Sequence, residues 1–205
     1  MTRNYMNKQK ASSMLNIILA PVKVAGDKLS EFISKRTLDN PERVKPDCGK
    51  IEQISSMLRD PIHIIDKIYL GNAVNAASYY KLKDANIGLI INVTSEITNF
   101  YEDQFDYLRY PILDNGKEKI SDYLLDSYNN IIEYMTSHPD QNILVHCYMG
   151  ASRSVSIIVF YMMKHYDMKF DDAFNIVSNK KEIANISTRF RDDILEVISK
   201  ISTEV

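Results

Sequence analysis

The stretch Asn142-Ile143-Leu144-Val145-His146-Cys147-Tyr148-Met149-Gly150-Ala151-Ser152-Arg153-Ser154 changes character twice within one short span. Its apolar start reads as a buried strand over Asn142 to His146. Small and flexible residues then turn the chain, and from Ser154 apolar residues recur at helical spacing as far as Tyr166. Strand, tight loop and helix start in that order let the loop amides and the helix N-terminus converge on one point, where the helix dipole also favours negative charge. Such a nest holds a tetrahedral oxyanion. It also lowers the pKa of a thiol at its centre, so Cys147 is expected as a thiolate, the attacking form of sulfur. Arg153, on the far side of the loop, offers a bidentate fork for two phosphoryl oxygens, where lysine offers only a point charge. Gly150 gives the backbone freedom to turn amides inward. Ser154 puts a hydroxyl beside the sulfur, suited to stabilising a departing thiolate, and His146 is placed to orient the cysteine. An isolated cysteine is usually an inert small hydrophobe; His-Cys-x-x-Gly-x-Ser-Arg-Ser between a strand and a helix is far harder to reach by chance.

Outward from this stretch, strand and helix patterns alternate. Ile62 to Leu70 is apolar and β-branched and ends at Gly71-Asn72, a turn signal. Asn75 to Asn86 suits a short helix, Gly88 to Val93 a buried strand, and Tyr107 to Ile112 another. Ser121 precedes Tyr123, Leu124, Tyr128, Ile131, Ile132 and Met135 at helical spacing and is expected to cap a long helix. Beyond the central stretch, helices are expected over Phe170 to Lys181 and Thr188 to Ile201. The alternation predicts an α/β domain with a central mixed sheet flanked by helices. The chain divides near residue 58, giving an extension over 1–57 and a folded domain over 58–205. In the extension Ile18, Val22, Ala25, Leu29, Phe32 and Ile33 fall on one helical face, interrupted by Pro21 and Gly26, before a linker from Thr37 to Pro46.

The 205 residues suffice for one well-buried domain plus an appendage. Apolar content of 45% and charged content of 25% are those of an ordinary globular protein. A formal net charge of −2 supplies no global field for nucleic acid or an anionic membrane, so any anion site must be local. Two cysteines, Cys48 and Cys147, make neither a disulfide framework nor a structural zinc site, which suits a reducing, cytoplasmic setting with no metal or cofactor. No apolar run approaches the roughly 18 residues of a membrane span, and no secretory signal is read.

The loop resembles the phosphate-binding loop of cysteine-dependent phosphatases, in particular the dual-specificity protein phosphatase branch. The resemblance extends to Tyr69-Leu70-Gly71, to Asn92-Val93-Thr94 and to Tyr110-Pro111-Ile112-Leu113-Asp114, and so covers residues 58 to about 203. It implies a phosphatase-type fold in which residues 148–153 (Tyr148, Met149, Gly150, Ala151, Ser152 and Arg153) bind the substrate phosphate and Cys147 is the nucleophile. By itself Asp114, ahead of Asn115-Gly116, is a turn residue; the resemblance makes it the general acid. Met149 stands where the family commonly has alanine, and Ile186-Ser187-Thr188-Arg189-Phe190 stands where it often has Pro-Asn-x-x-Phe.

The same resemblance implies hydrolysis of phosphotyrosine and of phosphoserine or phosphothreonine in proteins, within a shallow cleft. No lysine sits inside the loop, which disfavours polyanionic inositides, and Ser152-Arg153-Ser154 replaces the Asn-Arg-Thr of RNA 5′-phosphatase relatives. A phosphopeptide-binding pseudoenzyme is the reading from another class, disfavoured because cysteine and arginine are both present. For the extension three readings stand: a helix packed on its own domain, a dimerisation or docking helix, and a targeting or membrane-surface segment. The last rests on Arg3, Lys8, Lys10 and Lys23, which come without an acid in the first 26 residues.

Overall fold

The computed structural model describes residues 58–203. The expected helical face of Ile18 to Ile33, the linker and Cys48 lie outside the described residues.

The elements run β1 (Ile62–Ile65), β2 (Ile68–Gly71), α1 (Ala73–Ala76), α2 (Tyr79–Asp84), β3 (Ile87–Asn92), β4 (Asp106–Arg109), α3 (Ser121–Ser137), β5 (Asn142–His146), α4 (Arg153–Tyr166), α5 (Phe170–Lys180) and α6 (Thr188–Thr203). The five strands form one sheet in the order β1-β2-β5-β3-β4. β1 pairs antiparallel with β2, and every other pairing is parallel. The expected mixed sheet is thus present, with β5 at its centre.

A central parallel strand is covered on both faces and reads as a continuous apolar run. All six residues of β3 are buried accordingly. Along β5, Ile143 and Val145 face the larger core with α3, α4, α5 and α6, whereas Leu144 faces a smaller core with Ala76, Leu82, Ile90 and Phe105. α4 is buried from Arg153 to Met163, its whole circumference enclosed by the sheet and its neighbouring helices. That enclosure fixes the helix whose N-terminus ends the Cys147 loop.

Four expectations need correction. Ile62 to Leu70 is a hairpin rather than one strand. Asp66 at its turn has φ +47 and accepts hydrogen bonds from the hydroxyls of Tyr161 (2.7 Å) and Tyr166 (2.6 Å). Side chains distant in sequence, and no glycine, hold that turn. The expected helix over Asn75 to Asn86 is two short helices; Asn72 caps the first in a reciprocal box with Asn75, which starts it earlier. The strand expected to reach Ile112 stops at Arg109, since Tyr110 to Ile112 leaves the sheet towards Arg153. Ser121 is not the cap of α3. Ile120 takes that place without a side-chain cap of its own, and its N–H donates to Oδ2 of the buried Asp193 on α6 at 2.8 Å. A cap supplied from another helix leaves no local pattern.

The start of α6 also accounts for the missing asparagine in Ile186 to Phe190. The Ser187 hydroxyl accepts from the Phe190 N–H at 3.3 Å, a helix-capping contact that asparagine would otherwise make, and Phe190 is fully buried.

Asp193→Ala leaves the Ile120 amide without its acceptor inside the core. Chemical denaturation should show a loss of about 1–3 kcal/mol, and Asp193→Asn, which retains an acceptor oxygen, should lose less.

Candidate functional site

Parallel pairing sets the site at the C-terminal edge of the sheet. Gly71 of β2 and Asn92 of β3 both stand in register with His146, so three strands end together where Cys147 begins. Cys147 is buried and free. The loop's outward carbonyls are tied to this scaffold: the Ala73 N–H donates to Tyr148 O at 3.1 Å, and the Asn185 N–H to Ala151 O at 2.6 Å. Gly150 has φ +68, and a Cβ there would lie 2.6 Å from Gly71 O. Left-handed backbone and a close strand together demand glycine. The sequence motif Tyr69-Leu70-Gly71 is therefore the wall against which the loop folds.

With carbonyls outward, amides face the sulfur. Burial alone would push the Cys147 thiol up. The Arg153 charge, the Ser154 hydroxyl 3.2 Å from Sγ and the amides of Ser154 and Ala151 outweigh it, and the thiol lies below its ordinary value. His146 is buried, and burial first, then the Arg153 charge, lowers it to about 4 against a hydrogen bond with the Cys147 backbone. It is neutral at pH 7 and engages its neighbour through the backbone. Ser152 is the N-cap of α4, although its hydroxyl makes no capping bond.

Arg153 is only 2% exposed. Its Nη1 donates to Glu96 Oε2 and to Ile112 O, both at 2.8 Å, and its Nη2 to Glu96 Oε1 at 2.7 Å. Burial would lower the guanidinium pKa, but Glu96 first, with the charges of Cys147 and Asp114, raises it. The carboxyl of Glu96 is held below its ordinary value: burial opposes this, and the hydrogen bond and charge of Arg153 prevail. Asp114 follows Ile112 by two residues, half-buried within an otherwise exposed stretch, and its charge reaches Arg153. Asn115 Oδ1 accepts the N–H groups of Lys117 and Glu118, which turns the segment after Asp114 back towards α3.

Cys147, Ser154, Arg153 and His146 are thus brought together at the loop, and the Asp114 charge reaches Arg153. Two neighbours have no signal in the sequence. Glu96 sits in the loop after β3 and reads in the sequence as a solvated charge. Lys181, at the C-cap of α5, is buried beside the site; burial lowers it to about 8, while the Cys147 charge opposes that shift. A lysine pair at a helix end ordinarily reads as solvated. Among the described residues no group of three His, Cys, Asp or Glu side chains could hold a metal ion, and no helix is long and apolar enough to cross a membrane.

A thiol held down by these partners should react below the pH of an ordinary cysteine, about 8.5. In a Cys48→Ser background, the midpoint of iodoacetamide modification against pH should lie below that value and rise on Ser154→Ala. Because the folded thiol pKa is depressed, the thiolate also stabilises the fold above the ordinary thiol pKa. That contribution is lost as pH falls towards the folded value.

The model of the family described as "Dual specificity phosphatase, catalytic domain" matches residues 68–200. Human dual specificity protein phosphatase 9 is 35% identical over 134 residues, which are 63% of this chain and 33% of that protein. Protein phosphatase Slingshot of Drosophila melanogaster is 27% identical over 196 residues, 91% of this chain and 18% of that protein. The chain therefore spans a third or less of these relatives. The crystal structure of human DUSP28 superposes with a TM-score of 0.65 at 20% identity, covering 70% of this chain and 99% of that one, a likeness of fold. A match over residues 68–200, from β2 through the Cys147 loop and into the last helix, places this chain in the dual-specificity phosphatase family.

Proposed function

We propose that this protein hydrolyses phosphomonoesters on protein side chains, phosphotyrosine together with phosphoserine or phosphothreonine, through a phosphocysteine. The observation that carries this reading is a buried thiol whose pKa is lowered by the Arg153 charge, the Ser154 hydroxyl and the loop amides, with a buried Arg153 Nε–H that has no partner among the described residues.

In the first step the Cys147 thiolate attacks phosphorus, an S–P bond forms and the P–O ester bond breaks. The side-chain oxygen departs with the electron pair and takes its proton from Asp114. In the second step water attacks phosphorus and gives a proton to the Asp114 carboxylate. The S–P bond breaks, inorganic phosphate forms, and the Ser154 hydroxyl stabilises the returning thiolate. Throughout, Arg153 and the amides of residues 148–153 balance charge on the phosphoryl oxygens, which are preorganised donors of the kind that dominate such catalysis. His146, neutral and bonded to the Cys147 backbone, keeps the sulfur in line. No residue of residues 148–152 is cationic, which supports a singly phosphorylated side chain over a polyanionic headgroup.

Residues 1–57 contribute none of these groups. We assign catalysis to residues 58–205, so that a chain lacking 1–57 should still hydrolyse a small aryl phosphate; loss of self-association or of activity on large phosphoproteins would assign those to the extension.

Cys147→Ser should abolish turnover of an aryl phosphate yet retain binding of a phosphate mimic, while Cys48→Ser keeps activity. Full turnover by Cys147→Ser would end the proposal. Asp114→Asn should slow an alkyl phosphate or phosphoserine peptide by ~10²-fold or more, and an ester of an acidic phenol much less. Equal losses across leaving groups would assign Asp114 a structural role and send the search for the acid elsewhere.

A further inference from the structure

The limb that carries Asp114 is held well before it reaches the site. Tyr110, the first residue beyond β4, gives its N–H to Asn92 O at 2.8 Å. The Ile112 N–H returns to Tyr110 O at 2.8 Å and closes a three-residue turn about Pro111, whose ring fixes φ. Ile112 itself is fully buried. Beyond it Leu113, Asn115, Gly116, Lys117 and Lys119 are exposed, and the side chain of Asn115 bonds only to amides of the same segment. Asp114 therefore stands two residues past a buried point, and its place depends on how firmly Tyr110 to Ile112 is fixed.

The side chain of Tyr110 supplies a hold of its own. It is 5% exposed, its ring centroid lies 5.4 Å from that of Tyr123 on α3, and its hydroxyl donates to Asp126 Oδ2 at 2.7 Å. Phenylalanine would fill the same core space with no hydroxyl to desolvate, so a phenol here needs a partner. That partner is prepared. Asn130, one turn further along α3, donates to Asp126 Oδ2 at 3.1 Å and to Asp126 O at 2.8 Å, and reaches the Tyr110 hydroxyl at 3.4 Å. A bond to a carboxylate is stronger than one between neutral groups. Burial first, then the bond and charge of Asp126, pushes the Tyr110 phenol up, so it remains the donor. At the other end of the segment the Ile120 N–H is taken by Asp193 as α3 begins. Both ends of the stretch that carries Asp114 are thus closed on one helix, the first through Tyr110 and Asp126.

We propose that Tyr110 and Asp126 are positioning residues: their hydrogen bond fixes the Asp114 limb to α3 and thereby sets how well the protein hydrolyses alkyl phosphates, those of serine and threonine, relative to aryl ones. The alkoxide of serine or threonine is a far poorer leaving group than a phenoxide, so its departure depends more on a proton delivered in place. A group displaced by about 1 Å loses ~10²-fold. The turn about Pro111 passes any shift of Tyr110 on towards Asp114, so an exposed carboxylate on α3 governs selectivity without touching substrate. This deepens the proposed phosphocysteine reaction and rests on it.

The test compares Tyr110→Phe, Asp126→Ala and Asp126→Asn with wild type, each confirmed folded by its melting transition. Tyr110→Phe and Asp126→Ala should each slow a phosphoserine peptide by ~10-fold or more, a share of the ~10²–10⁴-fold that a positioned acid contributes. An ester of an acidic phenol should slow much less. Asp126→Asn keeps an acceptor oxygen for Tyr110 and should recover most of the loss. In an Asp114→Asn background, adding Tyr110→Phe should cost the phosphoserine peptide little further, because residues acting through one another are not additive. Equal losses on both esters, wild-type turnover of the phosphoserine peptide by Tyr110→Phe, or a full further loss without Asp114 would overturn the role. Should wild type turn over no phosphomonoester, the proposed reaction falls and the selectivity with it. Hydrogen exchange at the Ile112 amide then decides the anchor alone: Tyr110→Phe should speed it, and unchanged exchange would show that the bond holds nothing. If Tyr110→Phe does not fold, Asp126→Ala, at an exposed position, carries the comparison.

Discussion

A guanidinium 2% exposed to solvent cannot remain unpaired, and the contacts that pair Arg153 connect every part of the site. Its outer edge is met by Glu96 from the loop after β3, and its upper nitrogen by Ile112 O from the segment after β4. Its backbone begins α4 and closes the loop around Cys147. Three separate crossings of the sheet therefore converge on one side chain. The buried Nε–H has no partner among the described residues, and the charge of Arg153 is the first of the influences that offset the burial of Cys147. In the proposed reaction the same group favours the thiolate before substrate arrives and grips the phosphoryl group afterwards.

The sheet makes this convergence possible. Parallel strands β2, β5 and β3 end in register, so Gly71, His146 and Asn92 form a level rim. From that rim Gly71 presses on Gly150, Asn92 braces the Glu96 loop, and Cys147 starts the anion nest. Helix α6 reaches the same region from the other side. The N–H of Asn185, just before it, takes the Ala151 carbonyl, and Asp193 caps the helix that follows the Asp114 segment. Elements far from phosphate chemistry hold the two loops that carry it.

What the sequence made legible is what local rules govern. Residues 142–154 write strand, glycine turn and helix in one span, and the structure follows that order to the residue at both ends of β5. The burial of β3 on both faces was visible as an unbroken apolar run. What was hidden depends on contacts between distant residues. Asp66 adopts a left-handed turn because tyrosines about a hundred positions away hold its carboxylate. Ile120 replaces Ser121 as the helix start because Asp193 supplies the acceptor. Glu96 carries no pattern of its own; only the fold shows that Asn92 and Thr94, to which the resemblance extended, are the brace of its loop. Lys181 is hidden in the same way, a helix-end lysine whose burial is decided by what packs over it.

In the proposed reaction Arg153 divides its donors, one edge for Glu96 and the other for the phosphoryl group. A crystal structure of the protein with vanadate bound at Cys147 tests this most directly. The account predicts that oxyanion oxygens accept from Arg153 Nε and Nη2 and from the amides of residues 148–153, while Glu96 keeps its two contacts and Nη1 keeps Ile112 O. An oxyanion that displaces Glu96 from Arg153, or one held without the Nε donor, would contradict it.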